Sequence, residues 1–113
     1  MWKTIQTVPF GTVASYGQIA TLANLPGRAR LVGHCISQAP ASWALPWHRV
    51  LRASGQLAFA EHSKNGVRQR DLLQKEGVEV VNNRVAMRAF QWAPNLEDFF
   101  KLTHDSETTF TPL

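Results

Sequence analysis

The sequence predicts a mainly α-helical domain with small β elements, and three observations carry that expectation. Apolar residues recur at helical spacing in three separate stretches, and a fourth helix is marked by its start near Ser63 and its stop at Gly77. Short β-prone runs follow, at Arg49–Arg52 and on either side of Asn82-Asn83. With 113 residues, 44% of them hydrophobic, the chain is long enough for one core and too short for two full domains.

Trp2, Ile5 and Val8 recur every three residues and predict a short helix ending by Pro9, whose ring bars its continuation; Phe10-Gly11 then makes a turn. Ser15 with Gln18 three residues later has the form of a capping box, and Ile19, Ala20, Leu22 and Ala23 give the following helix an apolar face. That helix stops before Pro26-Gly27. A further helix is expected from about Arg28 to Ser37. Its apolar residues Leu31, Val32, Cys35 and Ile36 lie about 100° to 240° round the wheel from Arg30, so Arg30 points away from the core with Gly33, His34 and Ser37 beside it. Beyond a loop containing Pro40, Trp43 and Pro46 come a strand at Arg49–Arg52 and a turn at Ala53–Gln56. The next helix starts near Ser63 and ends at Glu76-Gly77, with Gly77 as its C-cap; Val78–Val80 and Val85–Met87 then form a hairpin around Asn82-Asn83. Two helices joined by Leu25-Pro26-Gly27 and followed by β elements make a winged helix-turn-helix-like plan, the plan of a DNA-binding domain whose second helix reads the duplex.

Charge is distributed unevenly. Residues 1–60 hold Lys3, Arg28, Arg30, Arg49 and Arg52 and not one Asp or Glu; residues 1–92 together hold eleven Lys and Arg against four carboxylates. A front half without carboxylates excludes paired-carboxylate chemistry, Mg²⁺ or Ca²⁺ sites and Ser-His-Asp triads built inside it, and it suits a surface that meets phosphates. The single cysteine, Cys35, excludes an internal disulfide and any multi-thiolate metal site. No cofactor and no metal is expected. No run approaches the roughly 18 apolar residues of a membrane span and no signal-peptide pattern follows Met1, which points to a cytoplasmic protein, nucleoid-associated in a bacterium, that functions as a monomer. Residues 93–113 carry one Lys against four carboxylates and read as an acidic, flexible appendage to a domain spanning 1–92, with Leu96, Phe99 and Phe100 able to dock a short helix.

The most informative string is Pro46-Trp47-His48-Arg49-Val50, together with Ser15-Tyr16-Gly17-Gln18-Ile19-Ala20, Ala29-Arg30-Leu31-Val32-Gly33 and Leu72-Leu73-Gln74-Lys75-Glu76-Gly77. In order and spacing these four segments resemble the DNA-binding domain of the O6-alkylguanine-DNA alkyltransferases, over about residues 1–92. Those proteins have Pro-Cys-His-Arg-Val where this chain has Pro46-Trp47-His48-Arg49-Val50. A tryptophan in place of the acceptor cysteine resembles the alkyltransferase-like proteins. The chemistry of the replacement follows from the side chain alone. Thiolate displaces an alkyl group readily, whereas the indole N–H is a donor without a basic lone pair, so Trp47 offers a flat stacking surface and no nucleophile. Base stacking on such a ring contributes about 1–3 kcal/mol in single-stranded complexes.

The resemblance implies further roles. Arg30 corresponds to the arginine that enters the duplex and fills the gap left by a flipped nucleotide, a task that suits a long planar cation. Tyr16 corresponds to the tyrosine that presses on the neighbouring phosphate and reaches the base, and with Trp47 and Val50 it would wall the lesion pocket. Gly33 would let the reading helix approach the backbone closely, and Ser37 would donate to a phosphate. His48, with no thiol to activate, is expected to be a structural hydrogen-bonder, with Arg49 beside it.

Two positions depart from the transferases. Ala39 stands where an Asn commonly precedes the loop proline, and Ala60 stands where a pocket tyrosine is expected, with no arginine in Leu57–Glu61. The N-terminus before the first helix is also expected to be shorter than family members usually have. The resemblance implies a non-enzymatic protein that binds O6-alkylguanine in double-stranded DNA by nucleotide flipping and flags it for nucleotide excision repair proteins. Three other readings compete. One is a self-alkylating transferase using Cys35, which the wheel places on the core face; another is a sequence-specific winged-helix regulator, for which the second helix lacks the Asn, Gln and multiple Arg of major-groove readers. The last is a basic scaffold without lesion preference.

Overall fold

Helix α1 (Trp2–Gln6) leads through a turn to strand β1 (Ala14–Ser15), which runs directly into helix α2 (Tyr16–Leu22). Helix α3 (Ala29–Gln38), strand β2 (Val50–Leu51), helix α4 (Lys64–Lys75) and the short helix α5 (Met87–Phe90) follow. The computed structural model describes residues 1–94, so the acidic segment, including Leu96, Phe99 and Phe100, lies outside the described residues.

The helical segments follow their local signals. Ser15 caps α2, its Oγ accepting from the Gln18 N–H at 3.0 Å. The reciprocal half of the expected capping box is not made, because the Gln18 side chain donates to the Trp92 carbonyl at 2.7 Å and accepts from Gln91 at 2.9 Å. It thereby ties the end of the described chain to α2. Asn24, at φ +65°, stops α2, with Leu25 N–H returning to the Ala20 carbonyl and Asn24 N–H to Thr21 in a Schellman arrangement. Ser63 caps α4 by accepting from the Gly66 N–H, and the same Schellman pair closes α4 around Gly77.

Strands β1 and β2 pair in parallel, Ala14 with Val50 and Ser15 with Leu51. The sequence showed no strand at Ala14, and β2 is shorter than the expected Arg49–Arg52 because Arg49 belongs to a 3₁₀ turn at Trp47–Arg49. This two-residue ladder divides the interior. Ala14 and Val50 face a cluster with Ile5, Val8, Ile19, Ala20, Val32 and Leu45, whereas Val13 and Leu51 face a second with Leu57, Leu73, Val78 and Val85. Alternation along each strand sends neighbouring side chains to opposite clusters. Each fully buried Val, Leu or Ile contributes about 1.5–3 kcal/mol of transfer free energy.

The expected hairpin contracts to a tight turn. Val81 and Arg84 exchange both backbone hydrogen bonds across Asn82 and Asn83, which stand at φ +52° and +61°. The segment after it does not continue as a strand: Val85 N–H donates to the Gly55 carbonyl and the chain enters α5 at Met87. Gly55 permits this close crossing, since a Cβ there would lie 2.3 Å from the Val85 carbonyl oxygen. Among the described residues no helix is long and apolar enough to cross a membrane.

Candidate nucleic-acid interface

Helix α3 packs on α2 through one fully buried residue, Val32, with Leu31, Cys35 and Ile36 half-buried beside it, a narrower core face than the wheel suggested. Arg30, His34 and Ser37 are exposed on the other side, and Gly33 lies among them. Arg30 makes no hydrogen bond or ion pair among the described residues, and with Gly27, Arg28, Ala29 and Leu31 it lines a shallow open depression. A Cβ on Gly33 would meet only Tyr16 Cε1, at an ordinary 3.8 Å, so the fold does not itself require glycine there. Ser37 gives its hydroxyl proton to the His34 carbonyl at 2.7 Å, which sets the expected phosphate donation against an intrahelical bond already in place.

Tyr16, at the first turn of α2, packs half-buried against the first cluster. Burial pushes its phenol pKa above the ordinary 10, while the positive charge of Arg52 pulls it down. Tyr16 is therefore a neutral hydroxyl with a cation near it, a combination suited to a phosphate oxygen.

The Pro46–Val50 segment is built by local geometry and held by distant partners. Pro46, at φ −77° and ψ +58°, forms an inverse γ-turn in which Trp47 N–H donates to the Leu45 carbonyl at 2.8 Å. The 3₁₀ turn that follows projects Trp47 and sends His48 and Arg49 to one carboxylate, Glu76, at the C-cap of α4. His48 Nε2 lies 2.6 Å from Glu76 Oε2; Arg49 donates to both carboxylate oxygens through Nε and to Oε2 through Nη2 at 2.8 Å. Arg49 Nη1 also donates to the Val8 carbonyl, and Gly11 N–H donates to Glu76 Oε1 at 2.9 Å. Burial by itself works to raise the Glu76 pKa, but the hydrogen bonds from Arg49, Gly11 and His48 and the nearby His48 charge overcome it and hold the carboxyl at about 2. Because an ionised carboxylate only accepts, His48 Nε2 carries the proton of the shared bond. His48 and Arg49 both hydrogen-bond Glu76, the partner that the sequence did not reveal.

Gln69 was missed as well. Fully buried, it accepts from the Ala58 N–H and donates to the carbonyls of His48 and Val50, each at 3.2 Å, so α4 grips both β2 and the segment after it. The sequence held a signal for Glu76, since Arg49 in an acid-free half needs a counterion from the back half. It held none for Gln69.

Trp47 stands half-buried at a cavity of about 450 Å³, within the usual range for small-ligand sites. Ile36 and Ala39 from the end of α3, Pro40, Ala41, Ala44 and Leu45 of the following loop, His48, and Arg68 and Leu72 of α4 complete its lining. Phe59 meets Trp47 edge to face at 5.9 Å, and the Arg68 guanidinium lies 5.7 Å from the Trp47 ring centroid. Two expected pocket walls are absent from this lining. Val50 is 0% exposed because the β2 pleat turns it into the first cluster, and Tyr16 lies along α2 outside the lining. Arg68, four residues into a polar helix, takes a place that the sequence did not assign to it.

The family described as 6-O-methylguanine DNA methyltransferase, DNA binding domain, matches residues 1–78. The chain belongs to this family. A DNA base-flipping protein of Vibrio parahaemolyticus is 35% identical over 95 residues, covering 83% of this chain and 93% of that protein. Alkyltransferase-like protein 1 of Schizosaccharomyces pombe is 29% identical over 99 residues, 83% of this chain and 92% of the relative. The crystal structure of S. pombe Atl1 in complex with damaged DNA containing O6-carboxymethylguanine superposes with a TM-score of 0.74 at 30% identity, covering 82% of this chain and 91% of that one. A DNA complex of the Mycobacterium tuberculosis transferase is 41% identical but matches only 66% of this chain and 45% of its own length, with a TM-score of 0.57. The fold is thus that of the methyltransferase DNA-binding domain, mainly helical with a two-stranded sheet and a helix-turn-helix of α2 and α3.

Proposed function

We propose that the protein recognises O6-alkylguanine in double-stranded DNA by flipping the nucleotide and holds the lesion without removing its alkyl group. The observation that carries this reading is Trp47, a side chain without a nucleophilic lone pair, standing at a cavity of ligand size where the transferases resembled by the sequence carry their acceptor cysteine. Arg30 fills the vacated stack, Tyr16 and the acid-free α3 face meet the phosphates, and Gly33 allows the close approach. The relatives named for base flipping and the Atl1 complex with damaged DNA support the same reading. The protein works as a cytoplasmic monomer and presents the held lesion to nucleotide excision repair proteins.

Fluorescence titration with two duplexes differing at one base tests it: O6-methylguanine is bound at least several-fold more tightly than guanine. Equal affinities would overturn the reading. Mass spectrometry after incubation with alkylated DNA shows no stable gain on Cys35, which is half-buried on α3; a stoichiometric gain there would restore an enzyme.

A further inference from the structure

The lining of the cavity beside Trp47 is chemically lopsided. Most of it is apolar, from Ile36, Ala39, Pro40, Ala44, Leu45 and Leu72. Its two other titratable residues are His48 and Arg68. The His48 Nε2 proton is committed to Glu76, and Glu76 is in turn committed to Arg49 and to the Gly11 N–H. Arg68 is different. Its guanidinium lies over Trp47 and forms no ion pair among the described residues, although Asp71 is one turn further along the same helix. A cation–π approach to an indole uses none of the five guanidinium N–H donors, so they are free for an acceptor. Arg68 is an exposed cation at the rim of an otherwise apolar, acid-free lining, which makes that rim a receptor for an anion that enters on a flat, stackable group.

We propose that Arg68 is a specificity-determining residue that makes the cavity prefer O6-alkyl groups bearing a carboxylate over uncharged groups of the same size. This rests on the base-flipping reading above and names the class of lesion the site favours. The base stacks against Trp47, and the carboxylate of the adduct takes the donors of Arg68 that no protein acid occupies. Phosphate contacts are common to every duplex, so they cancel in the comparison of adducts.

The experiment is a fluorescence anisotropy titration of the full chain with four duplexes identical except at one guanine: unmodified, O6-methyl, O6-carboxymethyl and its amide, O6-carbamoylmethyl. The carboxymethyl duplex binds roughly tenfold more tightly than the amide, as expected for one charge-assisted hydrogen-bonded pair, and the ratio shrinks as salt is raised. In Arg68→Gln the ratio falls to about one while the preference for O6-methylguanine over guanine persists; Arg68→Lys retains part of the ratio through its charge. Equal binding of acid and amide by the wild-type chain overturns the proposal and leaves the base-flipping reading intact, as does a charge preference that survives Arg68→Gln. Failure to distinguish O6-methylguanine from guanine overturns both.

Discussion

The exposed face of α3 and the Pro46–Val50 segment both belong to the candidate interface, yet they are wired into the protein in opposite ways. On α3, Arg30 makes no hydrogen bond or ion pair among the described residues, and Gly33 has room for a Cβ. In the Pro46–Val50 segment, His48 and Arg49 meet Glu76, the His48 and Val50 carbonyls meet Gln69, and Arg49 reaches back to Val8. A residue with no internal obligation reports on its ligand when it is changed. A residue held by distant partners reports first on folding. Substitutions should therefore separate cleanly into those that move stability and those that move DNA affinity, and the boundary between the two groups is open to direct attack.

The largest effect is expected at the hub. Glu76→Ala leaves the Arg49 guanidinium, the His48 N–H and the Gly11 N–H without their acceptor, at a cost of about 3–5 kcal/mol read as a fall in the urea midpoint. Acid should do the same more gradually in the wild-type chain. The Glu76 pKa is lowered from 4.5 to about 2 on folding, so its contribution is complete above about pH 4.5 and is lost as pH falls toward 2. That gap corresponds to on the order of 3 kcal/mol, and Glu76→Ala should flatten the acid limb of a stability profile.

On the free face, Arg30→Ala should weaken lesion binding by about ten- to a hundredfold and leave the urea midpoint within about 0.5 kcal/mol of wild type. A large loss of stability there would break the contrast. Trp47→Cys probes the junction of the two regions: it sets a thiol beside the His48–Glu76 pair, and mass spectrometry should find slow, partial alkyl transfer, because Ala39 and Ala60 remain as departures from the transferase pattern. Transfer as fast as in a transferase would show that the hub alone suffices. The smallest effect is at Gly33. Gly33→Ala should raise stability by about 0.5–1 kcal/mol, since a helix-interior glycine is replaced without a clash, while DNA affinity falls several-fold.

How much of this was legible in the chain depended on distance along it. The caps at Ser15 and Ser63, the stop at Gly77, the turn at Asn82-Asn83 and the outward direction of Arg30 rest on interactions spanning five residues or fewer, so they could be read directly. Trp47 was legible as a residue type in an ordered motif. Gln18 has the spacing of half a local capping box, but its side chain finds a carbonyl 74 positions away. The motif places Val50 as a pocket wall, but the pairing of β2 with Ala14 and Ser15 turns it inward.

Helices α1 to α4, the acid-free front half and the lack of a nucleophile at Trp47, though not α5, are legible along the chain. All of these follow from side-chain chemistry or from neighbours within a turn or two. Only the tertiary structure decided that Glu76 anchors His48 and Arg49 from 28 and 27 residues away, that Gln69 clamps β2, and that the cation beside Trp47 comes from α4 as Arg68. The physical reason is that a buried ion pair or amide clamp is selected by which elements pack together. Each such group has several chemically adequate partners in the sequence, and only packing brings one of them within hydrogen-bond distance.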